Sequence, residues 1–470
     1  MTPTTSFERV TLTEGALVAA ATVWLVFNIV NSPEPMAAAL VHWNPVLLIL
    51  ALARPLFVCL LFIAFSLFRL HEAYPALLHL KIPLTLGALM LAALATHAIV
   101  LGNVRPKVSR ELLLFAVFFA IVTVGVAFSS NRTNSMEFWS GTYWKIGLMT
   151  LAVAWLPRRS EDFALIARTM VVGGGLVGLV AIVNWTNGTG LVEGTRVTIG
   201  RDIRSVLGDP NDLCLILLFP LGFAMAMAAF KTNLVDRVLG VVCVPVLLAS
   251  IVFTQSRGGL LGVMGVSAVI LSRFIRSKTA RIVALIFLGL ALFAVMGIGG
   301  RLSGGAAELS EAGVDESMQG RFTAWRAAVA MALAHPLVGV GVLNFPNNFY
   351  SYTNVWSGKA MAVHSTWFGV LAETGFIGWA VYMAMVAICW QSSLASVARA
   401  QDHQMPSVIA VVSIGHLGAL TGFVVAGSFL TQGFTWPPYI LIGITAALAR
   451  YTSEFNRQGR LNPHSTGAER

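Results

Sequence analysis

Apolar runs of roughly 20 residues, each long enough to cross a lipid bilayer as a helix, recur along most of this chain. Of its 470 residues, 57% are hydrophobic and only 11% are charged, and the mean hydropathy is +0.78. A soluble core of this length needs far fewer apolar residues. Because lipid offers no partner to backbone N–H and C=O groups, the runs are predicted to be helices. The sequence therefore predicts an all-α, polytopic transmembrane helical bundle.

The apolar runs predict roughly 12 to 14 spans. Runs in the second half of the chain are well separated, whereas prolines blur the boundaries of the first two. The predicted spans are residues 15–31, 46–68, 82–101, 110–128, 142–156, 163–184, 211–230, 235–253, 257–273, 280–298, 364–390, 405–430 and 434–449.

The short connections between spans predict the orientation of the bundle. Basic residues fall in alternate connections, which are those with Arg158 and Arg159, with Lys231 and Arg237, and with Arg273, Arg276, Lys278 and Arg281. Positive loops stay in the cytoplasm, so the connections between them, at 185–210, 256–257 and 299–363, are predicted to face outward. The orientation of the amino terminus stays open. Loop charges account for much of the formal net charge of +10, and nucleic acid is not expected as a partner.

Three ionisable residues, Arg204, Arg257 and His364, stand at edges of apolar spans on the predicted outward side. Two cations and a titratable imidazole gathered on one face would suit an anionic, lipid-linked substrate. Arg204 precedes a predicted helix start at Gly208-Asp-Pro-Asn211, where free backbone N–H groups favour an anion. His364 opens a predicted span, where the helix dipole disfavours its protonated form and suits it to accept a proton.

Each candidate residue also has a structural interpretation. Arg257 could be an arginine that extends to the interface from a helix end, and His364 an interfacial histidine bonded to backbone. Arg196 and Arg201, in the same outward connection as Arg204, could simply meet lipid phosphates. Glu373 follows His364 by nine residues, which in a helix turns its side chain to the opposite face. It is therefore interpreted as a structural hydrogen-bonding group.

The long outward connection contains a second pattern. Phe322, Trp325, Val329 and Leu333 recur at helical spacing beside Arg321, which predicts an amphipathic helix on the outer leaflet. The glycine-rich run from 335 to 345 then predicts turns near the membrane surface.

Several classes of chemistry lack their motifs. The four cysteines lie inside apolar runs and are interpreted as small hydrophobic residues. The sequence contains no nucleotide-binding glycine motif, no His-Glu-x-x-His and no outward Asp-x-Asp cluster for a divalent ion. We therefore expect no cofactor and no metal.

An ordered set of motifs resembles the O-antigen ligase family, whose superfamily also contains O-antigen polymerases, protein O-oligosaccharyltransferases and exopolysaccharide enzymes. The matching motifs lie between about residues 200 and 380. They are Arg204-x3-Gly-Asp-Pro-Asn211, Ser256-Arg-Gly-Gly259, Arg321-x3-Trp325, His335-Pro-Leu-x-Gly-x-Gly341, Asn344-Phe345 and His364-Ser-x5-Leu-Ala-Glu-Thr-Gly-x2-Gly378. Ser365 follows the histidine where many members have asparagine.

The resemblance implies a GT-C-like bundle and a metal-independent, inverting glycosyltransferase at the periplasmic face of a bacterial inner membrane. The donor would be an undecaprenyl-diphosphate-linked glycan, and the acceptor a hydroxyl of a glycolipid or glycan. Arg204 and Arg257 would stabilise the departing diphosphate, and His364 would take the acceptor proton. Arg321 and Asn211 are expected to bind substrate.

The expected organisation has five segments. These are amino-terminal transmembrane helices at 1–141, central transmembrane helices at 142–298, a periplasmic loop with the amphipathic helix at 299–363, carboxy-terminal transmembrane helices at 364–450 and a polar cytoplasmic tail at 451–470.

Two other functions stay open: a polymerase or a protein oligosaccharyltransferase within the same class, and a transporter or flippase of the same lipid-linked sugar. A transporter places charged groups near the bilayer midplane, whereas the candidate charges here lie at a span edge, which favours an enzyme.

Overall fold

A computed structural model describes residues 49, 52–72, 77, 81–104, 106–203, 205–295, 313–353, 361–401 and 405–461. The predicted span at 15–31 and the candidate residue Arg204 lie outside these ranges. Within them the chain is almost entirely helical, which confirms the all-α class.

The helices follow one another with short connections. They are α1 (Pro55–Leu67), α2 (Ile82–Ala95), α3 (Arg110–Phe128), α4 (Arg132–Phe138), α5 (Trp144–Trp155), α6 (Ser160–Thr186), α7 (Pro210–Ala229), α8 (Leu234–Thr254), α9 (Arg257–Phe274), α10 (Lys278–Val295), α11 (Gly313–Ala334), α12 (Phe345–Tyr352), α13 (Thr366–Arg399), α14 (Ser407–Gly427) and α15 (Trp436–Leu461). A two-stranded antiparallel hairpin, β1 (Leu191–Val192) and β2 (Arg196–Val197), lies between α6 and α7.

Eight helices in the described ranges are long and apolar enough to cross a membrane, namely α2 with its π-helical extension to Val100, α3, α6, α7, α8, α9, α13 and α14. The chain is therefore a multi-pass membrane protein. The predicted count of 12 to 14 spans and the GT-C-like architecture are not confirmed.

The core of the bundle is built around α7. This helix is apolar on all sides and buried along most of its length, as expected of a helix that other helices surround. It packs against α6, α8, α9 and α14. Gly222 of α7 faces Gly415 of α14 so closely that a Cβ at Gly222 would stand 2.7 Å from the Gly415 carbonyl oxygen. Small residues thus let these two backbones approach, as they commonly do between membrane helices.

Hydrogen bonds between distant segments define two ends of the bundle. At one end, which we call the loop-rich end, the hairpin and the segments 253–257, 336–345, 361–365 and 428–435 meet. At the other, the basic end, Arg168 of α6 pairs with Asp236 of α8, and Lys107 pairs with Glu454 of α15. The connections with Arg158, Lys231 and Arg273 belong to the basic end, so the helices alternate in direction as the loop charges predict.

The predicted amphipathic helix exists as α11, and two residues of its apolar stripe do not pack on the bundle. Phe322 and Leu333 are exposed, at 54% and 66%. The buried face is formed instead by small residues and one methionine, namely Ala324, Ala327, Ala328, Met331 and Ala332. This face packs against α13, because alanine side chains let two helices come close.

The glycine-rich run after α11 forms turns, as predicted, and is bound to α13. Gly375 interrupts the helical backbone of α13 with φ 69° and ψ −172°. The break allows the Phe376 N–H to bond to the Pro336 carbonyl at 2.8 Å, while Val340 N–H donates to the Ala372 carbonyl at 2.9 Å. Residues 336–345 are thereby fixed against the first turns of α13.

Candidate active site

The start of α7 is capped by its own carboxylate. Asp209 accepts the backbone N–H groups of Asn211 and Asp212, at 2.7 and 3.3 Å, and Pro210 occupies the first helical position. The expectation of free N–H groups here for a substrate anion is wrong, because Asp209 already occupies two of them.

Arg204 lies outside the described residues, and its neighbour Ser205 is fixed from another helix. The Ser205 hydroxyl donates to the carboxylate of Glu72, which also pairs with Arg69. Ser205 is thus bound to the short helix Leu70–Glu72 that follows α1. This contact spans 133 positions, and sequence spacing gives no sign of it.

Arg257 is the first residue of α9, directly after a tight turn. Gln255 adopts a left-handed conformation with φ 48°, and the Ser256 hydroxyl caps α9 by accepting the Gly259 N–H at 3.1 Å. The Arg257 side chain is exposed at the loop-rich end. Arg257 therefore lies at the edge of a span, as its position in the sequence predicts.

Asn211 contacts Arg196, for which the sequence also allowed a simple contact with lipid phosphates. Its side-chain oxygen accepts from Arg196 Nη2 at 3.0 Å, and Arg196 Nε donates to the Thr254 carbonyl at 3.1 Å. Arg196 therefore joins the hairpin to α7 and to the end of α8. The contact makes Asn211 a positioning residue for Arg196, and its role in substrate binding stays a prediction.

His364 precedes α13 by two residues and has a backbone conformation that is uncommon for a residue with a side chain, with φ 48°. Its N–H donates to the Thr431 hydroxyl at 3.0 Å, and the side chain is half-buried. The residue before it is bound to α11, since Trp325 Nε1 donates to the Val363 carbonyl at 3.1 Å. Trp325 also stacks on Phe368, with ring centroids 5.2 Å apart.

Electrostatic contacts bring three of the predicted residues together. Burial lowers the pKa of His364, the positive charge of Arg321 lowers it further, and the Asp209 carboxylate opposes both. Burial lowers the pKa of Arg321 as well, followed by the charge of Arg257. Arg257, Arg321 and His364 thus share one region, with Asp209 at its edge. The expected direction for His364 is found, but burial is the leading cause, not the helix dipole.

Gln432 is a buried polar residue at this end that sequence reasoning missed. Its Nε2 donates to Asp212 Oδ1 at 2.6 Å, and it follows Thr431, which holds the His364 backbone. Gln432 also lines a cavity of about 190 Å³. The polar run Thr431-Gln-Gly-Phe-Thr435 between two apolar spans was the signal that could have identified it.

The cavity beside Gln432 combines aromatic and polar side chains. Phe138, Phe434 and Trp436 contribute ring surfaces, and Arg69 and Thr435 contribute hydrogen-bonding groups. Aromatic faces with nearby polar groups form a surface that suits a sugar ring, which has apolar C–H faces and hydroxyl edges. The described residues contain no group of His, Cys, Asp and Glu that could hold a metal ion.

Glu373 does not join this cluster. Its two carboxylate oxygens accept the backbone N–H groups of Leu343 and Phe345, at 2.9 and 3.1 Å. These contacts agree with the structural interpretation, although the partners are a loop and the start of α12, not a facing transmembrane helix.

Comparison with known families adds one match. Residues 241–383 match the family model described as O-Antigen ligase. The matched segment includes Arg257, Arg321 and His364, whereas Arg204 and Asn211 precede it. No curated protein matches the chain.

Proposed function

We propose that this chain, which matches the O-antigen ligase family over residues 241–383, is a ligase- or polymerase-type glycosyltransferase. The donor is a glycan on undecaprenyl diphosphate, and the acceptor is a hydroxyl of a glycolipid or of another glycan. The reaction takes place at the loop-rich end, which we assign to the periplasmic side of a bacterial inner membrane. The observation that carries this proposal is the convergence of Arg257, Arg321 and His364 in one region.

Departure of the diphosphate depends on cations in this proposal. The bond between the anomeric carbon and the diphosphate oxygen breaks, and the leaving oxygen takes the electron pair. Arg257 and Arg204 stabilise its charge by charge-assisted hydrogen bonds, and no metal is needed for this role. Arg321 binds a further phosphate oxygen or the donor sugar. An anion between Arg257 and Arg321 would also relieve the repulsion between them.

Activation of the acceptor is assigned to His364. A lowered pKa keeps the imidazole neutral near neutral pH, so a ring nitrogen can accept the proton of the attacking hydroxyl. The acceptor oxygen then bonds to the anomeric carbon from the face opposite to the diphosphate. The anomeric configuration is inverted, and the proton resides on His364 until solvent removes it.

The cavity beside Gln432 is the proposed place for a sugar ring of the donor or acceptor. Gln432 of its wall directly follows Thr431, the hydrogen-bond partner of His364, so a ring bound there would stand near the reacting centre. The cluster of charges at one end of the bundle supports an enzyme over a transporter, which needs groups along a path between both sides.

Transfer by the purified full-length protein in detergent tests the proposal, with an undecaprenyl-diphosphate-linked glycan and a lipid A core acceptor. His364→Ala should reduce turnover by about 10² to 10⁴-fold, the usual contribution of a general base, while donor binding stays intact. Arg257→Ala and Arg204→Ala should reduce both turnover and donor binding. Lysine should restore little, because it lacks the planar guanidinium that binds two oxygens.

Two variants serve as matched controls. His335→Ala removes an exposed histidine that contacts Tyr352, and Arg326→Ala removes an exposed arginine of α11, five residues after Arg321. Both should keep wild-type transfer. Full activity of His364→Ala with an unchanged pH profile would remove the general base from the mechanism. If a second lipid-linked glycan replaced the lipid A core as the accepted substrate, the chain would be a polymerase.

A further inference from the structure

A second group of cations surrounds a larger cavity at the basic end, opposite to the candidate active site. The cavity has a volume of about 290 Å³. Its wall includes Lys107, Trp155, Arg158, Arg450, Tyr451 and Glu454. The proposed glycosyl transfer uses none of these residues.

The cavity lies where the chain enters the membrane. Lys107 precedes α3 by three residues, and Arg158 precedes α6 by two, and both helices are apolar enough to span a bilayer. Arg450 reaches the same place from α15, the third element of the wall. Trp155, at the end of α5, donates its indole N–H to the Lys107 carbonyl at 3.1 Å. An indole and basic side chains at a span boundary are typical of the headgroup region.

The charges around the cavity are unequal. Three cations line it, with Glu454 as the one carboxylate in the described wall, and Glu454 pairs with Lys107. Arg450 donates one N–H to the Pro157 carbonyl, is attracted by Glu454 and is repelled, less strongly, by Arg158. Two positive side chains are thus held together beside an open volume, although like charges in contact destabilise a fold.

Glu454 is shared between Lys107 and Arg450, so one carboxylate in the described wall faces three cations. Asp162 accepts the backbone N–H groups of Arg158 and Arg159, at 2.7 and 2.9 Å, and so caps α6. Glu161 interacts with Tyr451. Neither residue is part of the described wall. An anion in the cavity would offset the remaining positive charge.

We propose that this cavity binds the phosphate of an anionic phospholipid headgroup from the leaflet at the basic end. Arg158 and Arg450 would hold the phosphate oxygens through charge-assisted hydrogen bonds, and Lys107 would add a further positive charge. Trp155 and Tyr451 would contact the apolar glycerol region. A zwitterionic lipid carries its own cation beside the phosphate and would fit this positive wall poorly. The bound lipid would join α3, α6 and α15 at one end.

The test measures thermal unfolding of the delipidated full-length protein in detergent, with added phosphatidylglycerol, phosphatidylcholine or inorganic phosphate. A ligand that binds the folded state raises the unfolding temperature as its concentration increases. We expect phosphatidylglycerol to raise it and the other two to have little effect at equal concentration. Native mass spectrometry would give the number of lipids retained.

Variants at exposed wall positions locate the binding site. Lys107→Gln and Arg158→Gln each remove a cation from an exposed side chain, so the fold should be kept. Each should weaken phosphatidylglycerol binding by roughly tenfold, the usual effect of losing a hydrogen bond to a charged group. Arg237→Gln, an exposed arginine at the start of α8 on the same end, should bind as the wild type does.

Each other outcome contradicts the proposal. An equal effect of inorganic phosphate would assign the site to a free anion. An equal effect of phosphatidylcholine would show that the headgroup charge is not recognised. Unchanged binding in both wall variants would place the lipid elsewhere on the protein.

Discussion

The protonation of His364 depends on two neighbours of opposite charge. Arg321 lowers its pKa, and Asp209 raises it. A general base must be neutral to act, so the acid limb of kcat/KM follows this pKa in the free enzyme. Asp209→Asn removes the negative charge, which lowers the pKa and moves the acid limb to lower pH. Arg321→Gln removes the positive charge, which raises the pKa and moves the limb to higher pH.

A merely structural role of His364 would not shift the acid limb of kcat/KM in opposite directions in these two variants. Asparagine is a good helix cap, so Asp209→Asn should keep the start of α7 intact. Arg326→Gln, which changes an exposed arginine on the same helix as Arg321, should leave the profile in place. Shifts in the same direction for both site variants would show that His364 does not set the acid limb.

Asn211 presents a choice between a structural role and substrate binding. Its side chain accepts from Arg196, so Asn211→Ala should destabilise the protein by about 1–3 kcal/mol through the lost partner. Asn211→Asp keeps the acceptor and adds a favourable charge for Arg196, so it should unfold no more easily than the wild type. Thermal unfolding measures both.

Donor binding by the same two variants decides the second role. If Asn211 only positions Arg196, the aspartate variant should keep the donor KM. A raised donor KM in Asn211→Asp, with stability retained, would mean that a substrate phosphate meets the new carboxylate, and it would support the predicted binding role.

At the residue scale, the site residues that could be predicted are those that stand out against long apolar runs. Arg257 and His364 interrupt or border long apolar runs, and ionisable residues in such places can be recognised from the sequence alone. The pairs Arg196 with Asn211 and Asp212 with Gln432 could not be predicted in this way. Their partners are 15 and 220 positions apart, and only the packing of the hairpin and of α14 brings them together.

At the element scale, Glu373 joins α13 to the loop that follows α11. It accepts the N–H groups of Leu343 and Phe345 from within a buried position. Glu373→Ala would leave both donors without this acceptor, at a cost of about 1–3 kcal/mol for a buried N–H. Glu373→Gln keeps one acceptor oxygen and should lose less stability. Thermal unfolding in detergent should therefore rank wild type, glutamine and alanine in that order.

Glu137→Gln is the control for this series, because it changes an exposed glutamate of α4 on the same end of the protein. It should unfold as the wild type does. Equal stability of the alanine variant and the wild type would contradict the bracing role of Glu373.

Hydropathy predicted the transmembrane elements better than their ends. The span predicted at 110–128 coincides with α3, and that at 211–230 differs from α7 by one residue at each end. The span predicted at 364–390 is wrong at its end, because α13 continues to Arg399. Its last turns are polar, and Ser392 donates there to the Glu111 carboxylate of α3. Apolar runs mark segments surrounded by lipid or by other apolar helices, whereas a helix continues wherever another element satisfies its polar side chains.

The face that α11 buries against the bundle was not predicted, for a related reason. Large apolar residues dominate a periodic pattern, so the predicted stripe includes Phe322 and Leu333, which are exposed on the protein. Alanine contributes little to such a pattern, yet the alanines of α11 form its buried face. Close helix packing depends on small residues, which hydropathy counts only weakly.

At the scale of the whole molecule, the alternation of helix directions places the candidate active site and the basic loops at opposite ends. Which end faces the periplasm follows from the positive-inside rule and stays a prediction. Single cysteines in an otherwise native chain can test it. All four native cysteines are buried, so they should react little with a thiol reagent while the protein is folded.

Thr195→Cys and Ser277→Cys report on the two ends. Thr195 is exposed in the turn of the β1–β2 hairpin, and Ser277 is exposed between α9 and α10 among Arg273, Arg276 and Lys278. Thr198 of the same hairpin would be a poor reporter, because it is fully buried. A membrane-impermeant maleimide added to intact cells should label the cysteine at 195 and should label the one at 277 only after the inner membrane is permeabilised. The reverse pattern would put His364 and Arg257 on the cytoplasmic side, away from a periplasmic donor, and would remove the location on which the proposed transfer reaction depends.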